Sequence, residues 1–383
     1  MNFNLPKAFN EFDEARQQGF MNIKELKEQG KHIIGTYCVY TPYEIMIAGG
    51  AIPISLCSMS DESIPAAEKH LPRNLCPLIK ASYGFAITDT CPYFYFADLI
   101  VGETTCDGKK KMFEYMNEVK PVHVMQLPQV SDTEDAFNLW RNEMVRLKER
   151  IEKELNVTIT DEDLKKAIKS RNEERVALKE FYELSKLCPP PMTGMEMLSV
   201  LFGSTFKTDQ AEKINSIKEV SKNIMDEYNS GVRKVSEDAP RILITGCPIG
   251  GATQKVVKLI EEAGGVVVCY ENCTGVKSYE ELVDETIEPY DALTKKYLNI
   301  PCSCMSPNDG RLKLLDNLVD EYKVDGVIDM ILQACHTYNV ETFRIKNFVN
   351  GEKNIPYMSL ETDYSQSDIG QLQTRISAFV EML

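Results

Sequence analysis

Two segments of this chain close an apolar run on a cysteine in nearly the same way. One is Leu99-Ile100-Val101-Gly102-Glu103-Thr104-Thr105-Cys106-Asp107-Gly108, and the other is Val327-Ile328-Asp329-Met330-Ile331-Leu332-Gln333-Ala334-Cys335-His336. A short unbroken apolar run reads as a strand covered on both faces, the habit of parallel sheets. A small or polar residue and then a thiol place sulfur at its carboxyl end, the edge of an open α/β sheet where ligands sit.

The pattern recurs. Cys38 closes His32–Tyr37 as Cys247 closes Ile242–Gly246, Cys57 closes Ala51–Leu56 as Cys273 closes Val266–Asn272, and Cys106 answers Cys335. The expected fold is α/β, with two pseudo-repeated Rossmann-like parallel-sheet domains and thiols lining an interdomain cleft. The boundaries expected are a helical lead-in over 1–30, anchored by Phe9, Phe12, Ala15 and Phe20, a first α/β domain over 31–132, a helical connecting region over 133–238 and a second α/β domain over 239–383. Pro42 to Gly50 reads as a helix with proline in its first turn and glycine past its end. In the connecting region Leu147, Ile151 and Leu155 recur at helical spacing, and Thr160-Asp161-Glu162-Asp163 resembles a capping box. Further strands are expected at Val122–Leu127 and Ile355–Leu360, and an amphipathic helix over Asp368–Leu383.

The 43 basic and 58 acidic residues leave a net charge of −15, the wrong sign for a protein whose main partner is nucleic acid. The amino terminus, Met1-Asn2-Phe3-Asn4-Leu5-Pro6-Lys7, lacks the pattern of a signal peptide, and no apolar run reaches the roughly 18 residues of a membrane span. A cytoplasmic protein is expected. Twelve cysteines are then conspicuous. A reducing compartment disfavours disulfides, which leaves metal ligation, redox chemistry or burial as small hydrophobes.

Zinc fits poorly, because Cys269/Cys273 and Cys302/Cys304 lack a knuckle context and His32, His70, His123 and His336 are scattered. An iron–sulfur cluster, whose thiolates come from distant loops, fits better. Thr104, Thr105, Gly108, Gln333 and Gly246 are candidate donors to its sulfides. Gly246-Cys247-Pro248-Ile249-Gly250-Gly251-Ala252-Thr253 opens a helix that either attracts an anion or simply packs on its strand. It is neither a Walker A loop nor G-x-G-x-x-G, so nucleotide binding by this chain is unsupported. Lys109-Lys110-Lys111 reads as a solvated helix face or as a holder of negative charge, and Glu44 and His336 are the candidate proton donors.

At these residues the sequence resembles the 2-hydroxyacyl-CoA dehydratase and benzoyl-CoA reductase family. The resemblance rests on Gly102-Glu103-Thr104-Thr105-Cys106-Asp107-Gly108-Lys109-Lys110-Lys111, on Pro42-Tyr43-Glu44 with Ala48-Gly49-Gly50, and on Gly370–Phe379. It implies a cubane held by three cysteines, by position Cys76, Cys106 and Cys335, and a separate ATP-hydrolysing iron–sulfur activator that supplies low-potential electrons. Gly35-Thr36-Tyr37-Cys38, Glu271-Asn272-Cys273-Thr274-Gly275 and Pro301-Cys302-Ser303-Cys304 resemble the single-subunit, double-cubane branch. That branch implies two [4Fe-4S] cubanes bridged by sulfide on six cysteines, with Cys38, Cys273 and Cys304 completing the set and Cys302, Cys247 and Cys91 in reserve. The reading is an oxygen-sensitive homodimeric reductase of a small substrate. A 2-hydroxyacyl-CoA dehydratase with one [4Fe-4S] cluster and a non-enzymatic electron-storage or cluster-carrier protein are the alternatives.

Overall fold

The computed structural model describes residues 10–248 and 250–383. It divides into two compact units. The first comprises Gln18–Arg175 and Glu281–Gly310, and the second comprises Val176–Glu280, Arg311–Leu383 and the segment ending at Gln17.

The first unit is built on four parallel strands, β1 (His32–Thr36), β2 (Ala51–Ser55), β3 (Leu99–Glu103) and β4 (Val122–Met125), in the order β2-β1-β3-β4. Helices connect them, as parallel neighbours require. The apolar runs are buried as their unbroken character demands: Ile33, Ile34, Leu99, Ile100 and Val101 are all fully inaccessible. Gly102 has to lack a side chain, because a Cβ there would stand 2.0 Å from the Phe113 ring. The helix after β1, Tyr43–Ala48, follows Pro42 and ends at Gly49 and Gly50, and Gly50 takes a positive φ of 73°. Leu147, Ile151 and Leu155 lie on the buried stripe of the helix Glu134–Leu155 together with Trp140. Thr160 and Asp163 exchange reciprocal bonds at the start of the helix Asp161–Glu183.

The second unit repeats the plan with β5 (Arg241–Gly246), β6 (Val266–Tyr270), β7 (Gly326–Leu332) and β8 (Tyr357–Thr362) in the order β6-β5-β7-β8. The strand order is that of the first sheet, so the cysteine pairs noted in sequence follow equivalent strands: Cys38 and Cys247 follow β1 and β5, Cys57 and Cys273 follow β2 and β6, and Cys106 and Cys335 follow β3 and β7. The closing helix Ile369–Val380 buries Leu372, Ile376, Phe379 and Val380. At Gly246, φ is +107° and an added Cβ would lie 2.0 Å from the Met330 carbonyl oxygen, so only glycine lets β5 turn there.

The helical lead-in is the helix Asn10–Glu28. Phe9 and the side chains of Phe12 and Ala15 lie outside the described residues, as does Ile249. Phe20 does not anchor this helix. It is 46% exposed, while Ile23, one turn on, is 1% exposed. Among the described residues no helix is long and apolar enough to cross a membrane.

Candidate metal centre

All twelve cysteines are present as thiols. Seven of them fall in the first unit: Cys38, Cys57, Cys76, Cys91, Cys106, Cys302 and Cys304. Cys76 directly precedes the helix Pro77–Thr88, and Cys106 precedes the helix Asp107–Met116 and accepts a hydrogen bond from the Lys109 N–H at 3.4 Å. The two sulfurs are near enough to interact. Burial pushes the Cys106 thiol up, the Lys109 N–H and ammonium pull it down, and Cys76 raises it again. Each of the two sulfurs stands at the N-terminus of the helix that follows it.

A second group forms where the segment Glu281–Gly310 meets the loop after β1. A hydrogen bond with Cys302, then burial, push the Cys304 thiol up, and Cys38 adds to the effect. Cys304 Sγ donates to Tyr40 Oη at 3.8 Å, and that hydroxyl donates to the Ile300 carbonyl at 2.6 Å. Cys302 is 7% exposed and Tyr40 is fully buried. The Cys57 thiol stands nearby and donates to the Tyr37 carbonyl at 3.2 Å.

Lys109 ties the two groups together. Its ammonium is buried, donates to the Tyr37 carbonyl at 3.0 Å and lies 3.8 Å from Glu103 Oε2. Burial opposes its charge, yet Cys38, Glu103, Cys57 and Cys106 together hold it protonated above the ordinary lysine range. Thr41 donates to the other oxygen of Glu103, whose carboxyl burial pushes up. The lysine run is thus not one solvated face: Lys110 and Lys111 are exposed and pair with Asp107 and Glu114, while Lys109 points inward. The spacing carried this signal, since Lys109, Met112, Phe113 and Met116 form one helical stripe and all are buried. Reading the run as three equivalent charges concealed it.

The second unit holds Cys188, Cys247, Cys269, Cys273 and Cys335. Cys247 is consumed by packing: its sulfur accepts the Leu332 N–H at 3.1 Å and its N–H donates to the Met330 carbonyl at 2.8 Å. Cys269 is buried within β6 and accepts the Tyr182 hydroxyl at 3.3 Å. Cys335 directly precedes the helix His336–Lys346 and follows Ala334, which takes a left-handed φ of +56°. Cys273 lies in the loop after β6, and Cys91 precedes the short helix Pro92–Phe96. The Thr104 hydroxyl accepts the Leu127 N–H at 3.0 Å, which leaves its O–H to donate.

The two proton-donor candidates differ. Burial alone would raise the Glu44 carboxyl, but Arg175, Arg171 and Lys296 hold it down to about 2, so it carries no proton near neutral pH. Arg175 donates to Glu44 at 2.5 Å and Tyr297 donates to its other oxygen at 2.7 Å. His336 is the exposed first residue of its helix.

Among the described residues no three His, Cys, Asp or Glu side chains converge as a single-ion site. The donor set nevertheless suits an iron–sulfur cluster: neighbouring thiols beside a buried ammonium. Two hydroxyls flanking cysteines, Ser303 Oγ and Thr274 Oγ1, are buried without a hydrogen-bond partner. Such groups are rare in a finished core and are suited to donate to a cluster's sulfides.

With the strand-end thiols and paired sheets in place, residues 38–383 match the family model described as 2-hydroxyglutaryl-CoA dehydratase, D-component. The chain belongs to this family. It is 56% identical to YjiM of Escherichia coli K12, named provisionally as a dehydratase subunit, over 99% of this chain and 98% of that one. It is 25% identical to the (R)-phenyllactyl-CoA dehydratase beta subunit of Clostridium sporogenes, over 99% of this chain and all of the relative. It is 21% identical to a benzoyl-CoA reductase subunit of Thauera aromatica, over 92% of this chain and 91% of the relative.

Proposed function

We propose that this chain is an iron–sulfur reductase that takes low-potential electrons from a separate ATP-hydrolysing activator and passes them to a small substrate. The observation that carries the reading is the presence, in one unit, of two thiol groups, Cys76 with Cys106 and Cys38 with Cys302 and Cys304, of which Cys106 and Cys38 both act on the Lys109 ammonium. One cubane on three thiolates would leave the second group without a purpose. Cys38, Cys76, Cys106, Cys273, Cys304 and Cys335 are the ligand set proposed, for two [4Fe-4S] cubanes bridged by sulfide in a homodimer. Bound there, the clusters would supply one-electron chemistry, while the protein sets charge, access and hydrogen bonding. Cys302 is the first substitute for Cys304, whereas Cys247 is already committed to the fold.

The relatives' names support a second reading, a dehydratase acting on a 2-hydroxyacyl-CoA at a single cubane. Iron and acid-labile sulfide per chain, measured on protein purified without oxygen, separate the two. About eight irons with sulfide in slight excess support the bridged pair, and about four support the dehydratase. Absence of iron and sulfide removes both.

A further inference from the structure

Resting on the cluster reading, we propose that Lys109 is the fixed positive charge of this centre: its ammonium makes the cluster easier to reduce and is not merely a support for the helix. Four observations in the first unit carry this. The side chain lies on the buried stripe with Met112, Phe113 and Met116, so its ammonium cannot escape to water. It is fixed there by the Tyr37 carbonyl at 3.0 Å and lies 5.7 Å from the centre of the Phe113 ring. Cys38, Cys57 and Cys106 surround it, and its own backbone N–H reaches the Cys106 sulfur. Finally, Glu103 offsets this charge as an ion-pair partner at 3.8 Å but makes no hydrogen bond to it through that oxygen, its other oxygen accepting from Thr41.

A buried charge is screened far less than an exposed one. Lys110 and Lys111, which are solvated and paired on the surface, cannot do the same work. When one electron enters from an external one-electron reductant, the centre becomes one charge more negative and the donor one charge more positive. No proton moves, and the ammonium of Lys109 favours the reduced form. The carbonyl of Tyr37 and the carboxylate of Glu103 are therefore positioning groups for Lys109.

The test compares wild type with Lys109→Met, Lys109→Arg and the double variant Glu103→Gln/Lys109→Met, which removes both charges and leaves no orphaned carboxylate. Each is purified without oxygen, assayed for iron and sulfide, and titrated with titanium(III) citrate under electron paramagnetic resonance. The expected result is a reduced-to-oxidised ratio about tenfold lower at fixed poise in Lys109→Met, equivalent to about 59 mV for one electron, and a smaller drop in the double variant, which loses an opposing negative charge as well. Lys109→Arg should keep the wild-type value. A wild-type potential in Lys109→Met overturns the proposal while leaving the cluster reading intact. If Lys109→Met holds too little iron to titrate, the double variant is compared with Glu103→Gln alone, and equal potentials in those two overturn the proposal. Wild type without iron and sulfide takes down the cluster reading and this inference together.

Discussion

Arg175→Met tests whether Glu44 belongs to the fold or to the chemistry. The ion pair is sealed, with the two side chains 1% and 0% exposed, and Tyr297 and Asn172 add hydrogen bonds to it. Removing the guanidinium takes away the largest of the cations that support a carboxylate closed off from water, leaving Arg171, Lys296 and Tyr297, and breaking such a buried pair typically costs about 3–5 kcal/mol. A second route gives a similar size. The Glu44 carboxyl is held at about 2 against an ordinary 4.5, and at roughly 1.4 kcal/mol per unit this is a preference of about 3 kcal/mol for the charged form, the net of burial against Arg175, its largest support, with Arg171, Lys296 and Tyr297. Because the folded value is depressed, this stability is present above pH 4.5 and is lost as pH falls toward 2.

The chain contains a single tryptophan, Trp140, fully buried in the first unit, so its fluorescence reports the unfolding of the unit that contains the pair. With a urea slope of about 2 kcal/mol per molar, the expected loss moves the midpoint down by about 1.5 M. Glu44→Gln/Arg175→Met should recover much of it, because the orphaned charge is gone. A midpoint shift in Arg175→Met below about 0.3 M would refute the reasoning, as would a double variant no more stable than the single one. Glu44→Gln adds a separate check: if it abolished turnover without moving the midpoint, Glu44 would be a chemical group after all.

Two glycines should respond in opposite ways to alanine. Gly246→Ala meets a positive φ and the Met330 carbonyl and should lower the melting temperature sharply, whereas Gly370→Ala, within the helix Ile369–Val380 and with nothing inside 4 Å, should stabilise by about 0.4–1 kcal/mol. Burial lifts the Glu261 carboxyl to about 7 although it accepts the Gly194 N–H. An acid raised in the folded state loses stability as pH rises from 4.5 through 7, so Glu261→Gln should flatten the calorimetric pH profile over that window. Tyr40→Phe removes one of two hydrogen bonds to the Ile300 carbonyl, which keeps the Cys302 N–H, and should cost about 0.5–1.5 kcal/mol by urea titration. Cys106→Ser should lower iron content, and Cys247→Ala should leave iron per chain unchanged while reducing stability.

Parallel strands announce themselves because both faces are buried and no polar residue need interrupt them. That is why β3 and β7 are readable from Leu99–Val101 and from Val327 onward, and why the thiols that close them stand out. The helical stripe of Leu147, Ile151 and Leu155 is readable for the related reason that one face must be apolar. What the sequence hid is set by long-range closure. Tyr40 bonds to Ile300, and Cys38 interacts with Cys304, across more than half the chain. No local period records that Glu281–Gly310 returns to the first unit.

Glu44 shows the converse limit. In sequence it is a carboxylate beside Pro42-Tyr43 and a candidate for proton transfer, and no local pattern shows the burial against Arg175 that holds it ionised near neutral pH. Lys109 lies between these extremes: its stripe is written in the sequence, but the meaning of its charge is not. A buried ammonium surrounded by Tyr37, Glu103 and three thiols is costly unless something negative repays its desolvation. Glu103, at 3.8 Å, supplies only part of that compensation, and a thiolate-bound cluster would supply the rest. On this argument, the same placement that makes Lys109 expensive in the folded chain makes it effective once negative charge accumulates beside it.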